Sequence, residues 1–160
     1  MNGYSLFYQD LTNTDLVDYE IESIFAFDVF IHNTDRRKLK PNFLIKEEEY
    51  CLIDHELSLN MNESLIERIR QSDFSYLYNN PIYKEHIFLA PLKKLNKKLN
   101  LRFENFEYHL NSLNLKKLDS VKNQLEEIGI STNDYSLIKS YIAEIKLRSG
   151  AFIKMLNNFF

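Results

Sequence analysis

The chain has 160 residues, 44% of them hydrophobic and 27% charged, the balance of an ordinary soluble domain rather than a disordered or fibrous one. Its net charge of −3 and scattered basic residues argue against nucleic acid as a partner, and its length suits one domain burying about 70% of its unfolded surface. One cysteine excludes an internal disulfide and no apolar run approaches ~18 residues, so the expectation is a single cytoplasmic domain over 1–160 without membrane contact.

Residues 1–13 show no clear period and read as an irregular or extended lead-in. Thr14 has the chemistry of a helix N-cap, with Asp15 and Asp18 in the first turn where the helix dipole favours acid. From there Val17, Ile21, Ile24, Phe25, Asp28 and Val29 recur at three- and four-residue steps, predicting a helix to about His32. Phe27 and Phe30 widen that stripe, so the helix belongs in the middle of a helical layer. Asp28 on its apolar face reads as a carboxylate bonded to nearby loop backbone.

Residues 32–55 read as a polar loop followed by a hairpin. A turn centred on Glu48 sets Phe43 opposite Ile53, Leu44 opposite Leu52, and Asn42 opposite Asp54. Phe43, Ile45, Cys51 and Ile53 then form one apolar face, with Cys51 a small buried hydrophobe. Opposed residues have Cβ atoms roughly 5 Å apart, close enough for the Asn42 amide and the Asp54 carboxylate to share a hard cation such as Mg²⁺.

Beyond the hairpin, Asn62 caps a short helix to about Gln71, and the Tyr- and Asn-rich stretch 73–80 reads as loop. Pro81 suits the first turn of a helix carrying Ile82, Ile87 and Phe88, and Pro91 ends it or opens the next, which runs to Asn100. Lys93, Lys94, Lys97 and Lys98 are read there as a solvated face. Segments 105–113 and 115–128 follow, the latter stopped by Gly129 as a C′ residue. Ser131 or Thr132 caps a last long helix holding Ile138, Tyr141, Ile142, Ile145 and Phe152, with Gly150 inside its pattern. The fold class is therefore mainly α, an α+β domain with one β-hairpin.

The order Asp35, Asn42, Asp54 follows that of a kinase catalytic loop, in which one Asp orients the acceptor hydroxyl and an Asn and a second Asp hold the metal on the phosphates. The blocks Asn33-Thr34-Asp35-Arg36, Pro41-Asn42-Phe43-Leu44 and Leu52-Ile53-Asp54-His55 resemble the HipA-like kinase family. Its members carry an Asn-x-Asp-Arg loop, an Asn-Pro-Asn-like segment and an Ile-Asp-His strand end. The resemblance implies a helical C-lobe-like fold and ATP- and Mg²⁺-dependent phosphoryl transfer to a protein Ser/Thr hydroxyl. It also implies Asp35 as the catalytic residue, Asn42 and Asp54 as metal ligands, and a role like that of toxin–antitoxin kinases. Within this segment His55 reads as structural or supporting. Arg36, Arg37, Lys38 and Lys40 balance phosphate charge or serve as ion-pair partners. The spacing of His32, His55, His86 and His109 does not suit zinc.

Three glycines, at 3, 129 and 150, cannot form a phosphate-cradling loop with one another. The loop also begins about 33 residues in, where family members have a nucleotide-binding lobe ahead of it. Two classes of protein follow: an enzyme whose nucleotide-binding lobe comes from a partner chain, or a non-catalytic interaction module or truncated remnant of a kinase.

Overall fold

The structure, a computed structural model, describes residues 5–6, 19–46, 49–95 and 102–160. Helix α1 (Ile21–Phe30) forms its centre because it is apolar on nearly every side. Ile21, Ile24, Phe25, Ala26, Val29 and Phe30 are all buried, and Phe27 alone among its large apolar residues reaches 37% exposure. A helix hydrophobic all round must be covered all round. Phe25 meets the rings of His86, Phe103, Phe159 and Phe160, while Phe30 meets Phe106, Tyr141 and Phe152. The core is thus an aromatic shell about one helix. The expected start of this helix at Thr14, with Asp15 and Asp18, lies outside the described residues.

The hairpin forms, one residue out of the predicted register. Strands β2 (Phe43–Lys46) and β3 (Glu49–Leu52) pair Phe43 with Leu52, Leu44 with Cys51, Ile45 with Tyr50 and Lys46 with Glu49. Lys46 thus lies opposite Glu49, where a turn centred on Glu48 would have set it opposite Tyr50. Because side chains alternate faces, this slip reverses the partners expected on each side. Phe43 and Tyr50 share a face, with ring centroids 5.5 Å apart. Cys51 is exposed rather than buried. A short strand β1 (Ser5–Leu6), inside the stretch read as an extended lead-in, pairs antiparallel with β2 and gives the sheet order β1-β2-β3.

Helices fill most of the remainder. Asn62 caps α2 (Glu63–Arg70) as expected, its Oδ1 accepting from the Leu65 amide at 2.9 Å. The stretch read as loop contains a one-turn helix α3 (Ser75–Tyr78), held by an Asp73 carboxylate on the Ser75 amide and by burial of Leu77. Pro81 opens a 3₁₀ turn (Pro81–Glu85) that stops before Ile87, since the His86 backbone instead bridges to Arg37. Pro91 lies inside α4 (Leu89–Lys94), in the first turn, where no amide donor is required. The expected continuation to Asn100 falls mostly outside the described residues.

Helices α5 (Glu104–Ser112) and α6 (Leu115–Glu127) match the periodicity, and Gly129 takes the left-handed conformation (φ 80°) that stops α6. The expected last helix is two helices, α7 (Tyr135–Leu147) and α8 (Ser149–Asn157). The chain breaks at Arg148, whose guanidinium reaches the Arg70 carbonyl and the Glu144 carboxylate. Its N-cap position is Asp134, not Ser131 or Thr132, because the Thr132 hydroxyl is bonded to Glu126 instead. Among the described residues no helix is long and apolar enough to cross a membrane.

Phe25→Ala removes a fully buried ring that touches four others, so unfolding stability should fall by about 3–5 kcal/mol in urea titration. Phe27→Ala, on the one open side of α1, should cost under about 1 kcal/mol. Equal losses would refute the central position of this helix.

Candidate functional site

The site starts from the C-terminal end of α1. The His32 amide bonds the Val29 carbonyl at 3.3 Å and the Asn33 amide the Asp28 carbonyl at 2.8 Å, with His32 left-handed at φ 59°. This is the Schellman arrangement with histidine where glycine is usual. It throws Asn33 back over the last turn, where its Nδ2 donates to Asp28 Oδ1 at 2.7 Å. The Asn33 Oδ1 accepts from the Asp35 amide at 3.1 Å, an Asx-turn that fixes the start of the loop.

Arg36 is the next link. Its Nε and Nη2 fork onto Asp28 at 2.6 and 3.3 Å, and both side chains are wholly buried. Its Nη1 donates to the carbonyls of Pro41 (3.2 Å) and Asn42. Its Nη2 also reaches His55 Nε2 at 3.1 Å. From the far side, His86 Nε2 donates to Asp28 Oδ2 at 3.0 Å, since its Nδ1 is already accepting from the Phe88 amide. Asp28 was expected to bond loop backbone. Its side chain instead accepts from Asn33, Arg36 and His86, because a buried carboxylate needs charged or polar donors on both oxygens.

Burial pushes the Asp28 carboxyl up, but the donors from His86 and Arg36 outweigh this and hold it below the ordinary carboxylate value. Burial pushes His86 down and keeps it neutral, overcoming the pull of Asp28. The knot therefore holds one anion, Asp28, and one cation, Arg36. His55 is also lowered, by burial and then by the Arg36 charge, and as a neutral ring it accepts from Arg36.

The three residues singled out by the sequence occupy different settings. Asp35 is buried, with Oδ1 on Arg37 Nη2 at 3.0 Å and Oδ2 on Lys40 Nζ at 3.1 Å. Burial raises its carboxyl, but Lys40 and Arg37 prevail and keep it ionised. Arg37 and Lys40 close a tight turn through two mutual backbone bonds of 2.9 Å. Asn42 is left-handed (φ 48°) and buried, and its Nδ2 has no hydrogen-bond partner among the described residues. Asp54 is left-handed (φ 60°) and exposed.

Asn42 and Asp54 are not cross-strand partners. In the observed register Ile53 faces Asn42, and its amide donates to the Asn42 carbonyl at 3.1 Å. What joins the segments is Arg36. It follows Asp35 in the chain, holds the Asn42 carbonyl, and touches His55, the neighbour of Asp54. Among the described residues, four of the six non-glycine residues with positive φ, namely His32, Asn42, Asp54 and Leu59, fall within 32–59. Each costs on the order of 1 kcal/mol, strain of the kind that gathers at functional sites.

The Asn42 amide and the Asp54 carboxylate offer two hard oxygen donors, a set that suits Mg²⁺, which keeps waters and substrate oxygens for its other positions. The unpartnered atom of Asn42 is its Nδ2, a donor, whereas a cation would be held by its Oδ1. No cluster of three His, Cys, Asp or Glu able to hold a metal occurs among the described residues. The two described glycines lie at the end of α6 and in α8, away in sequence from this loop.

Sequence reasoning missed the roles of Arg36 and His86. A usable signal was present: an Asp on an otherwise apolar helical stripe demands a buried cation, and Arg36 is the nearest arginine after it. No family model, curated protein or solved structure matches the chain.

Histidine burial sets a pH dependence. Burial lowers His32 to about 4, and His55 and His86 are lowered as well. These groups stabilise the fold fully above their unfolded value near 6.5, and that contribution is lost as pH falls toward 4. His32 alone accounts for about 3 kcal/mol over this window. Urea midpoints should fall steadily between pH 7 and pH 4.5. A flat profile would contradict neutral, buried histidines.

Proposed function

We propose that the chain is the catalytic-loop portion of a HipA-like kinase, transferring a phosphoryl group from ATP to a protein Ser/Thr hydroxyl with Mg²⁺. The supporting observation is the buried Arg36 fork. It ties the Asp35 loop to Asn42 and to the Asp54–His55 strand end through one side chain. Residues far apart in a loop and hairpin gain a common, rigid support, which is what positioning chemistry requires.

In this reading Asp35 accepts a hydrogen bond from the substrate hydroxyl and orients it. A carboxylate held ionised by Arg37 and Lys40 is a weak base, so orientation outweighs proton abstraction in its contribution. Asn42 and Asp54 are the residues that would hold Mg²⁺, and the metal when bound neutralises charge on the phosphates. The glycines of residues 1–160 supply no phosphate-cradling loop, so in this reading a lobe outside these residues grips the nucleotide. ATP and a single exposed cysteine fit a cytoplasmic setting. A link to toxin–antitoxin kinases rests on family analogy alone.

One observation favours a second reading, a non-catalytic interaction module derived from a kinase. Both Asp35 oxygens are already engaged by cations of the same chain, so the residue serves as a structural clasp without any substrate.

Mn²⁺, a paramagnetic stand-in for Mg²⁺, separates the two readings. The kinase reading expects saturable broadening of the Asn42 and Asp54 amide signals, weakened at least about tenfold in Asp54→Ala. Asp54 is exposed, so that variant should keep its fold. Unchanged broadening in the variant, or none in the wild type, sinks the metal assignment and leaves the module.

A further inference from the structure

The sheet order β1-β2-β3 makes β3 an edge strand, and among the described residues no strand pairs with its outer side. Glu49, Tyr50 and Cys51 are exposed and Leu52 is half-buried. The Ile53 amide bonds the Asn42 carbonyl at 3.1 Å. In the observed register the bonded pairs then alternate along the hairpin to Leu44–Cys51 and Lys46–Glu49. Tyr50 and Leu52 belong to the other set and turn their N–H and C=O groups outward. An open row of that kind is a template for one more strand.

The charge along this edge is one-sided. Residues 47–56 carry five acids and no lysine or arginine, although the whole chain has 23 acids against 20 bases. Lys46 on β2 stands opposite Glu49 and offsets one of them. Glu20 adds another acid: burial and then its charge raise the Tyr50 phenol. Antiparallel pairing with a second copy would bring residues 47–49 of each strand beside Asp54 and Glu56 of the other, acid against acid. The acids that repel a second copy attract a basic segment.

We propose that β3 is a docking edge for an extended basic segment of a partner protein, which joins the sheet as a fourth strand with lysine or arginine alternating with apolar residues. The pleat selects that alternation. Tyr50 and Leu52 lie on the face of the buried Phe43, whose ring centroid is 5.5 Å from that of Tyr50. Apolar side chains of the guest strand, set opposite these two, extend that apolar surface. Glu49 and Cys51 lie on the other face, where Glu49 meets the cations of the guest. Backbone bonds to Tyr50 and Leu52 hold the guest strand, and the acids select its charge. The docking edge does not depend on phosphoryl transfer.

The test is an NMR titration of the whole chain with a blocked hexapeptide of alternating lysine and valine. Saturable shifts at the Tyr50, Cys51 and Leu52 amides are expected. N-methylation of the valines, whose amides face Tyr50 and Leu52 in this pairing, should weaken binding at least about tenfold without touching the protein. N-methylation of the lysines, whose amides face away, should change it under about threefold. A glutamate–valine peptide should not bind. Glu49→Lys, at an exposed position, should weaken the lysine–valine peptide about threefold to tenfold while the helix signals keep their places. Absent or unsaturable shifts would overturn the proposal. So would equal binding by the valine-methylated peptide, which marks a charge contact without strand pairing, or unchanged binding in Glu49→Lys. Shifts at these three amides that follow protein concentration without peptide would give the edge to a second copy and overturn it as well.

Discussion

Arg36 and Asp28 form an ion pair from which water is wholly excluded, and the loop, the hairpin and the 86–88 segment all hang on it. A buried charge is tolerated only when paired and fully bonded. Each oxygen of Asp28 takes two side-chain donors, and Arg36 has partners on all three of its nitrogens. Removing either partner strands the other charge, a loss of about 3–5 kcal/mol in comparable buried pairs. A hydrophobic pair of the same volume would serve stability as well, so the reason for charge here is geometric. Only a guanidinium offers a rigid fork that can hold a carboxylate on one edge and two backbone carbonyls and an imidazole on the others.

Helix α1 supplies the other half of that geometry. Its burial on every side fixes where Asp28 stands, and the left-handed His32 turns the chain back so that Asn33 and Arg36 reach the same carboxylate. The strain of four left-handed residues between 32 and 59 is offset by this dense bonding. Core and site are therefore not separable. A loosened aromatic shell would move the carboxylate on which the loop is built.

Much of the fold was legible in the sequence, because local rules decide it. The stripe Ile21, Ile24, Phe25 and Val29 predicted a central helix, Asn62 a cap, and Gly129 a stop, and each stands as read. What failed depends on long-range choices. The hairpin register hung on the turn length, and one residue of error moved Cys51 from the core to solvent and set Ile53 opposite Asn42. The last helix breaks at Arg148 because that side chain bonds Arg70, 78 residues away, a contact no local pattern carries. Of the candidate site, Asp35, Asn42 and Asp54 were named from motif order, whereas the Arg36 and His86 contacts around them come from packing between segments distant in sequence. His86, 58 residues from Asp28, offered no periodic signal.

The most direct test of the Arg36-centred account is the heteronuclear NMR spectrum of Arg36→Lys. Lysine keeps the charge opposite Asp28 but lacks the fork, so it cannot hold Asp28, Asn42 and His55 together. The account predicts large shifts or broadening at Asp35, Asn42, Ile53 and His55, with α5 to α8 unperturbed. A spectrum in which those four residues keep their wild-type positions would contradict it, and would make the Asp28–Arg36 pair one more buried ion pair rather than the support of the site.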